Sequence, residues 1–128
     1  MKILLVDDDT FLRDMYATKF IECGHKVTTA QHAPDALRIL ETDHSFELMI
    51  VDMIMPGMTG VELIAELQAL FKEDSDYDMK YIVLSNQGQD QDISEAKEAG
   101  AIGYIIKAQS VPSEVVKKVE EIMSEHKQ

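Results

Sequence analysis

The chain has one cysteine, Cys23, three prolines, six glycines and no tryptophan. A single thiol permits neither an internal disulfide nor a cysteine-based metal cluster, and it fits a reducing compartment. With so little proline and glycine, collagen-like repeats and low-complexity linkers are excluded. Basic side chains are also scarce: 12 Lys and Arg stand against 24 Asp and Glu, a formal net charge of −12. Such a surface repels nucleic acid and anionic lipid, so no nucleic-acid partner is expected, and the lone pair Lys117-Lys118 reads as a solvated helix face. Long apolar runs are missing as well. Met1-Lys2-Ile3-Leu4-Leu5-Val6 imitates the start of a signal peptide, but the run stops at Asp7. A signal core needs about seven apolar residues and a membrane span about 20, so the expectation is a cytoplasmic protein without membrane insertion.

What is present is an ordinary globular composition, 45% hydrophobic over 128 residues. That length suits one domain, residues 1–128, large enough to fold without a disulfide or metal staple. Short aliphatic runs recur at residues 3–6, 27–30, 48–51, 81–84 and 104–106. Apart from Val27-Thr28-Thr29-Ala30, which reads as an edge strand, they lack polar alternation, as strands buried on both faces of a parallel sheet do. Helical patterns fill the gaps. The first covers about residues 11–23 and stops at Gly24; the second opens at Pro34; the third carries a capping-box spacing at Thr59-Gly60-Val61-Glu62. A fourth spans about residues 93–99, a fifth starts near Pro112, and residues 72–80 form a long polar loop. Five βα units with right-handed crossovers predict an α/β fold with an open, doubly wound, five-stranded parallel sheet. In such sheets ligands bind beyond the carboxyl ends of the strands.

The residues at those ends are Asp7-Asp8-Asp9, Asp52, Ser85 and Lys107. An acid after one strand is commonly a helix cap. Three acids converging to ~5 Å repel by roughly 3 kcal/mol per pair at an effective dielectric of 20, more than one lysine cancels. A cluster of this kind calls for a bound cation or for raised carboxyl pKa values. Oxygen donors without histidine suit Mg²⁺, with Mn²⁺ as the alternative, rather than zinc. A divalent cation, a lysine and a hydroxyl together suit a phosphoryl group, and one carboxylate is left to act as nucleophile.

The same residues resemble a two-component response regulator receiver domain of the single-domain, chemotaxis-protein type. The matching stretches are Ile3-Leu4-Leu5-Val6-Asp7-Asp8-Asp9, Asp52-Met53-Ile54-Met55-Pro56-Gly57-Met58-Thr59-Gly60, Val83-Leu84-Ser85 and Gly100-Ala101-Ile102-Gly103-Tyr104-Ile105-Ile106-Lys107. The resemblance implies a flavodoxin-like sheet of order 2-1-3-4-5. It makes Asp52 the phosphoacceptor, and Asp7, Asp8, Asp52 and the backbone carbonyl of Ile54 the metal ligands. Lys107 becomes the phosphoryl-binding lysine, Ser85 the hydroxyl switch and Tyr104 the aromatic switch. It implies a sensor histidine kinase or histidine phosphotransfer protein as donor, a downstream protein as target, and a self-modifying switch rather than a turnover enzyme. It also puts Phe11, Leu12 and Met15 on the surface a donor touches, although each of these apolar residues suits the core equally well.

Two departures stand out. Ala108 follows Lys107 where the family has a cis proline; cis would cost about 3 kcal/mol here, so a trans link and a reshaped loop are expected. Asn86 is larger than the residue usual after the switch hydroxyl. Asp9 reads as a cap of the first helix, and Met49, Met53, Met55 and Met58 read as packing. Two other readings stay open on sequence alone. A hydrolase of the haloacid dehalogenase type would use Asp7 as nucleophile and Asp9 as acid/base, and would turn over a phosphate ester. A receiver-shaped interaction module would take no phosphoryl group at all.

Overall fold

The computed structural model describes residues 1–75 and 77–126. Asp76, within the loop expected at residues 72–80, and Lys127 and Gln128 lie outside the described residues. Five strands alternate with five helices: β1 (Lys2–Val6), α1 (Thr10–Glu22), β2 (Lys26–Ala30), α2 (Ala33–Thr42), β3 (Leu48–Val51), α3 (Gly60–Leu70), β4 (Lys80–Ser85), α4 (Asp90–Ala99), β5 (Gly103–Ile106) and α5 (Pro112–Glu125). All strand pairs are parallel and the order is β2-β1-β3-β4-β5, as expected. The mixed sequence of β2 does place it at an edge.

Each strand divides its side chains between two cores, because successive residues point to opposite faces. Ile3, Leu5, Leu48, Ile50, Ile82, Leu84 and Ile105 pack against Tyr16, Ala17 and Phe20 of α1 and Val115, Val116 and Val119 of α5. Leu4, Val6, Met49, Val51, Tyr81 and Val83 pack against α2, α3 and α4. Met49, Met53 and Met55 are buried in this second core, with Met58 partly buried beside it, so the methionines do serve as packing.

Local signals account for most boundaries. The Thr59 hydroxyl accepts from Glu62 N at 3.1 Å while Glu62 Oε1 accepts from Thr59 N at 3.0 Å, which closes the expected capping box of α3. Gly24 ends α1 at φ +93°, a conformation side chains rarely adopt. Helix α4 starts at Asp90, three residues before the expected start, since Gln89 and Asp92 cap it and the polar first turn carries no apolar period to read. Only Ala96 of α4 is buried, so this helix is held more lightly than α3.

Candidate functional site

The site is built where β1, β3, β4 and β5 end. Asp7 follows β1 directly and is buried, and its backbone N donates to the Ala30 carbonyl at 3.1 Å. Its Oδ1 accepts from Asp9 N at 3.0 Å and its Oδ2 from Lys107 Nζ at 2.8 Å. Its backbone carbonyl accepts from Arg13 Nη1 at 2.9 Å. Asp52 follows β3, and its Oδ2 accepts from the same Lys107 Nζ at 2.9 Å. Lys107 is buried at the start of a 3₁₀ turn, Lys107–Gln109, and bridges the two carboxylates. Asp8 stands beside them, exposed to solvent. One carboxylate oxygen from each of Asp7, Asp8 and Asp52 lies within 4.8 Å of the others.

The electrostatics follow from this packing. Burial pushes the Asp7 carboxyl up, and the nearby Asp52 charge adds to that, against the pull of Lys107. For Lys107 burial acts to lower the pKa, but hydrogen bonds to Asp7 and Asp52 outweigh it and hold the ammonium above its ordinary range. One ammonium thus serves two carboxylates, and among the described residues Asp8 has no ion pair. The three clustered donors are all carboxylate oxygens, with no sulfur or nitrogen ligand among them, a donor set that fits a small hard divalent cation.

Ser85 is buried at the end of β4 and its Oγ accepts from Gln87 N at 3.2 Å. The half-buried Tyr104 donates its hydroxyl to the Gln87 carbonyl. One residue, Gln87, therefore links the hydroxyl position to the aromatic one through its backbone. Ile54 is exposed, and its N donates to Asp52 Oδ1 at 3.3 Å. Asp9 does not join the acid cluster. Its carboxylate accepts from Leu12 N at 3.0 Å and caps α1, as expected, which leaves it unsuited to the acid/base role of a hydrolase. The peptide between Lys107 and Ala108 is trans, also as expected.

On α1 the three apolar residues expected to touch a donor separate. Phe11 is 76% exposed, whereas Leu12 and Met15 are partly buried against the α1/α5 core. Sequence reading passed over Arg13, although a basic residue four after Asp9 is placed to reach back one helical turn to the loop. It named Gly60 only within the capping-box and family-matching stretches, without its part in the packing. A Cβ there would stand 2.3 Å from the Asp52 carbonyl oxygen, so only glycine lets α3 approach the end of β3.

With fold and geometry in hand, an acid triad around one buried lysine at the ends of a 2-1-3-4-5 sheet defines a phospho-accepting switch module. Residues 3–120 match the response regulator receiver domain family, and the chain belongs to that family. It is 36% identical over 108 residues to the two-component response regulator PhoP of Pseudomonas aeruginosa, a match that covers 84% of this chain and 45% of that protein. It is 30% identical over 124 residues to a chemotaxis protein CheY homolog of Campylobacter jejuni, covering 96% and 92%. The chain thus spans less than half of the first relative and nearly all of the second. The solved structure of chemotaxis protein CheY4 of Vibrio cholerae superposes with a TM-score of 0.83 at 27% identity, covering 94% of this chain and 97% of that one. Membership of the receiver family sets the hydrolase reading aside. Among the described residues no helix is long and apolar enough to cross a membrane.

Proposed function

We propose that residues 1–128 act as one receiver unit in the cytoplasm, taking a phosphoryl group from a phosphohistidine onto Asp52. An Asp52 oxygen attacks phosphorus in line with the P–N bond. That bond breaks, and the imidazole keeps its electron pair and leaves neutral, because its other nitrogen carries a proton. The product is an acyl phosphate on Asp52, later lost to water, so the chain modifies itself and does not turn over a separate substrate. Lys107 neutralises the phosphoryl oxygens and Ser85 donates a hydrogen bond to one of them. Asp7, Asp8, Asp52 and the Ile54 carbonyl would hold Mg²⁺, or Mn²⁺ in its place. When bound, the ion offsets the negative charge that gathers on the phosphoryl oxygens.

Movement of Ser85 toward the phosphoryl group pulls on Gln87, and through it on Tyr104, which passes the change to the α4–β5 face and a downstream protein target. The donor is a sensor histidine kinase or a histidine phosphotransfer protein.

The observation that carries this reading is the convergence of three carboxylate oxygens within 4.8 Å beside one shared lysine. An acid cluster this dense serves an ion better than it serves the fold. Mg²⁺ titration of phosphorylation by a small phosphodonor tests it. Asp8→Ala should raise the Mg²⁺ needed for half-maximal labelling by an order of magnitude or more without lowering the metal-free melting temperature. An unchanged Mg²⁺ requirement would remove Asp8 from the ligand set.

A further inference from the structure

Asp8 is the member of the acid triad that no side chain holds. Its carboxylate is exposed, and among the described residues it makes no hydrogen bond or ion pair. Its place within 4.8 Å of the Asp7 and Asp52 oxygens is therefore set by the backbone on either side of its Cα. That backbone is two peptide planes, each rigid as a unit. The plane after Asp8 is fixed through its amide, since Asp9 N donates to Asp7 Oδ1 at 3.0 Å. The plane before it is fixed through its carbonyl, which accepts from Arg13 Nη1 at 2.9 Å.

Arg13 is committed to that carbonyl. Its side chain is half-buried, and among the described residues it forms no salt bridge. Its Nε is buried without a hydrogen-bond partner. A guanidinium drawn partly out of water ordinarily meets a carboxylate, whereas this one meets the backbone between two acids of the site. The first turn of α1 gives it the reach. Asp9 caps that turn by accepting from Leu12 N at 3.0 Å, and Arg13 N donates to the Asp9 carbonyl at 2.9 Å. Helical side chains lean toward the helix N-terminus, so Arg13 extends back over the loop that carries Asp8.

We propose that Arg13 is a positioning residue for the divalent cation: by holding the peptide plane between Asp7 and Asp8, it aims the Asp8 carboxylate at the ion. The inference rests on the reading of Asp8 as an ion ligand. An effect of Arg13 as a mere charge would have the opposite sign. A guanidinium beside the acid triad repels a divalent cation, so deleting the charge alone would tighten ion binding. Deleting an anchor weakens it.

Arg13→Met keeps most of the aliphatic stem and removes both the donors and the charge. Mg²⁺ titrated into this variant without phosphodonor, followed by calorimetry, should bind about tenfold more weakly than to wild type, as when a group that orients a metal ligand is lost. In the metal-free variant the carbonyl ¹³C signal of Asp7 should shift. Equal or tighter Mg²⁺ binding overturns the proposal, and so does an unmoved Asp7 signal. A lower melting temperature with unchanged Mg²⁺ affinity also overturns it, because packing alone would give that result. Should Arg13→Met fail to fold, Arg13→Lys takes its place. Lysine keeps the charge but ends one bond short of Nη1, so the anchor predicts weaker Mg²⁺ binding, and wild-type affinity overturns it. If wild type bound no Mg²⁺, the ion site itself would fall and the proposal with it; Mg²⁺ bound equally by wild type and variant overturns the proposal alone.

Discussion

The Cα of Gly60 faces the carbonyl of Asp52 so closely that a methyl group there would stand 2.3 Å from the carbonyl oxygen and 3.2 Å from the Cα of Met53. Both neighbours are backbone and cannot turn aside. Gly60 N also donates to the Met53 carbonyl at 2.9 Å, so the first turn of α3 and the end of β3 are fixed as one unit. Gly60→Ala should therefore cost about 1–3 kcal/mol of stability, as overpacking does, and displace Asp52 from Lys107. Chemical denaturation should show the loss. Stability equal to wild type would mean that the close approach is relaxed in solution.

The pH dependence of stability should carry the signature of Asp7. Burial raises its folded pKa above the ordinary 3.8. The unfolded chain then gives up its proton first as pH rises. The stabilisation linked to this group is complete below about pH 3.8 and is lost as pH climbs through the raised folded value. In metal-free buffer, the melting temperature of wild type minus that of Asp7→Asn should therefore decrease between about pH 4 and pH 7. Other acids are common to both proteins and cancel in the difference. A difference that grows with pH would show that Lys107 and the Asp9 amide outweigh burial at this carboxyl.

Phe11 is the better place to probe donor recognition than Leu12. A charge at Leu12 would enter the edge of the α1/α5 core and disturb folding, whereas Phe11 stands 76% exposed one residue into α1. Phe11→Glu should slow transfer from a phosphohistidine protein by roughly tenfold, about 1.4 kcal/mol, and leave labelling by a small phosphodonor near wild type. Parallel rate measurements with the two donors check this. Equal slowing in both would assign Phe11 to the site itself.

The fold was legible because buried parallel strands have a plain signature: four of the five apolar runs needed no more than their aliphatic character and spacing. Boundaries were less so where polar residues supply the caps, as at Asp90 of α4. The charged members of the site were equally plain, since Asp7, Asp8, Asp52 and Lys107 each follow a strand. What escaped was whatever acts through three-dimensional contact. Arg13 works through a side-chain bond to a backbone carbonyl, and Gly60 through an atom it lacks. The partition of Phe11 from Leu12 and Met15 likewise depends on where α5 lies, which no local pattern encodes.

Whether Asp52 receives the phosphoryl group is decided by intact-mass measurement. Wild type and Asp52→Asn are each incubated with a small phosphodonor and Mg²⁺, then again with the metal chelated. Wild type should gain one phosphoryl group only when Mg²⁺ is present, and Asp52→Asn should gain none. A phosphoryl group retained in Asp52→Asn, or mapped in wild type to Asp7, Asp8 or Asp9, would contradict the account.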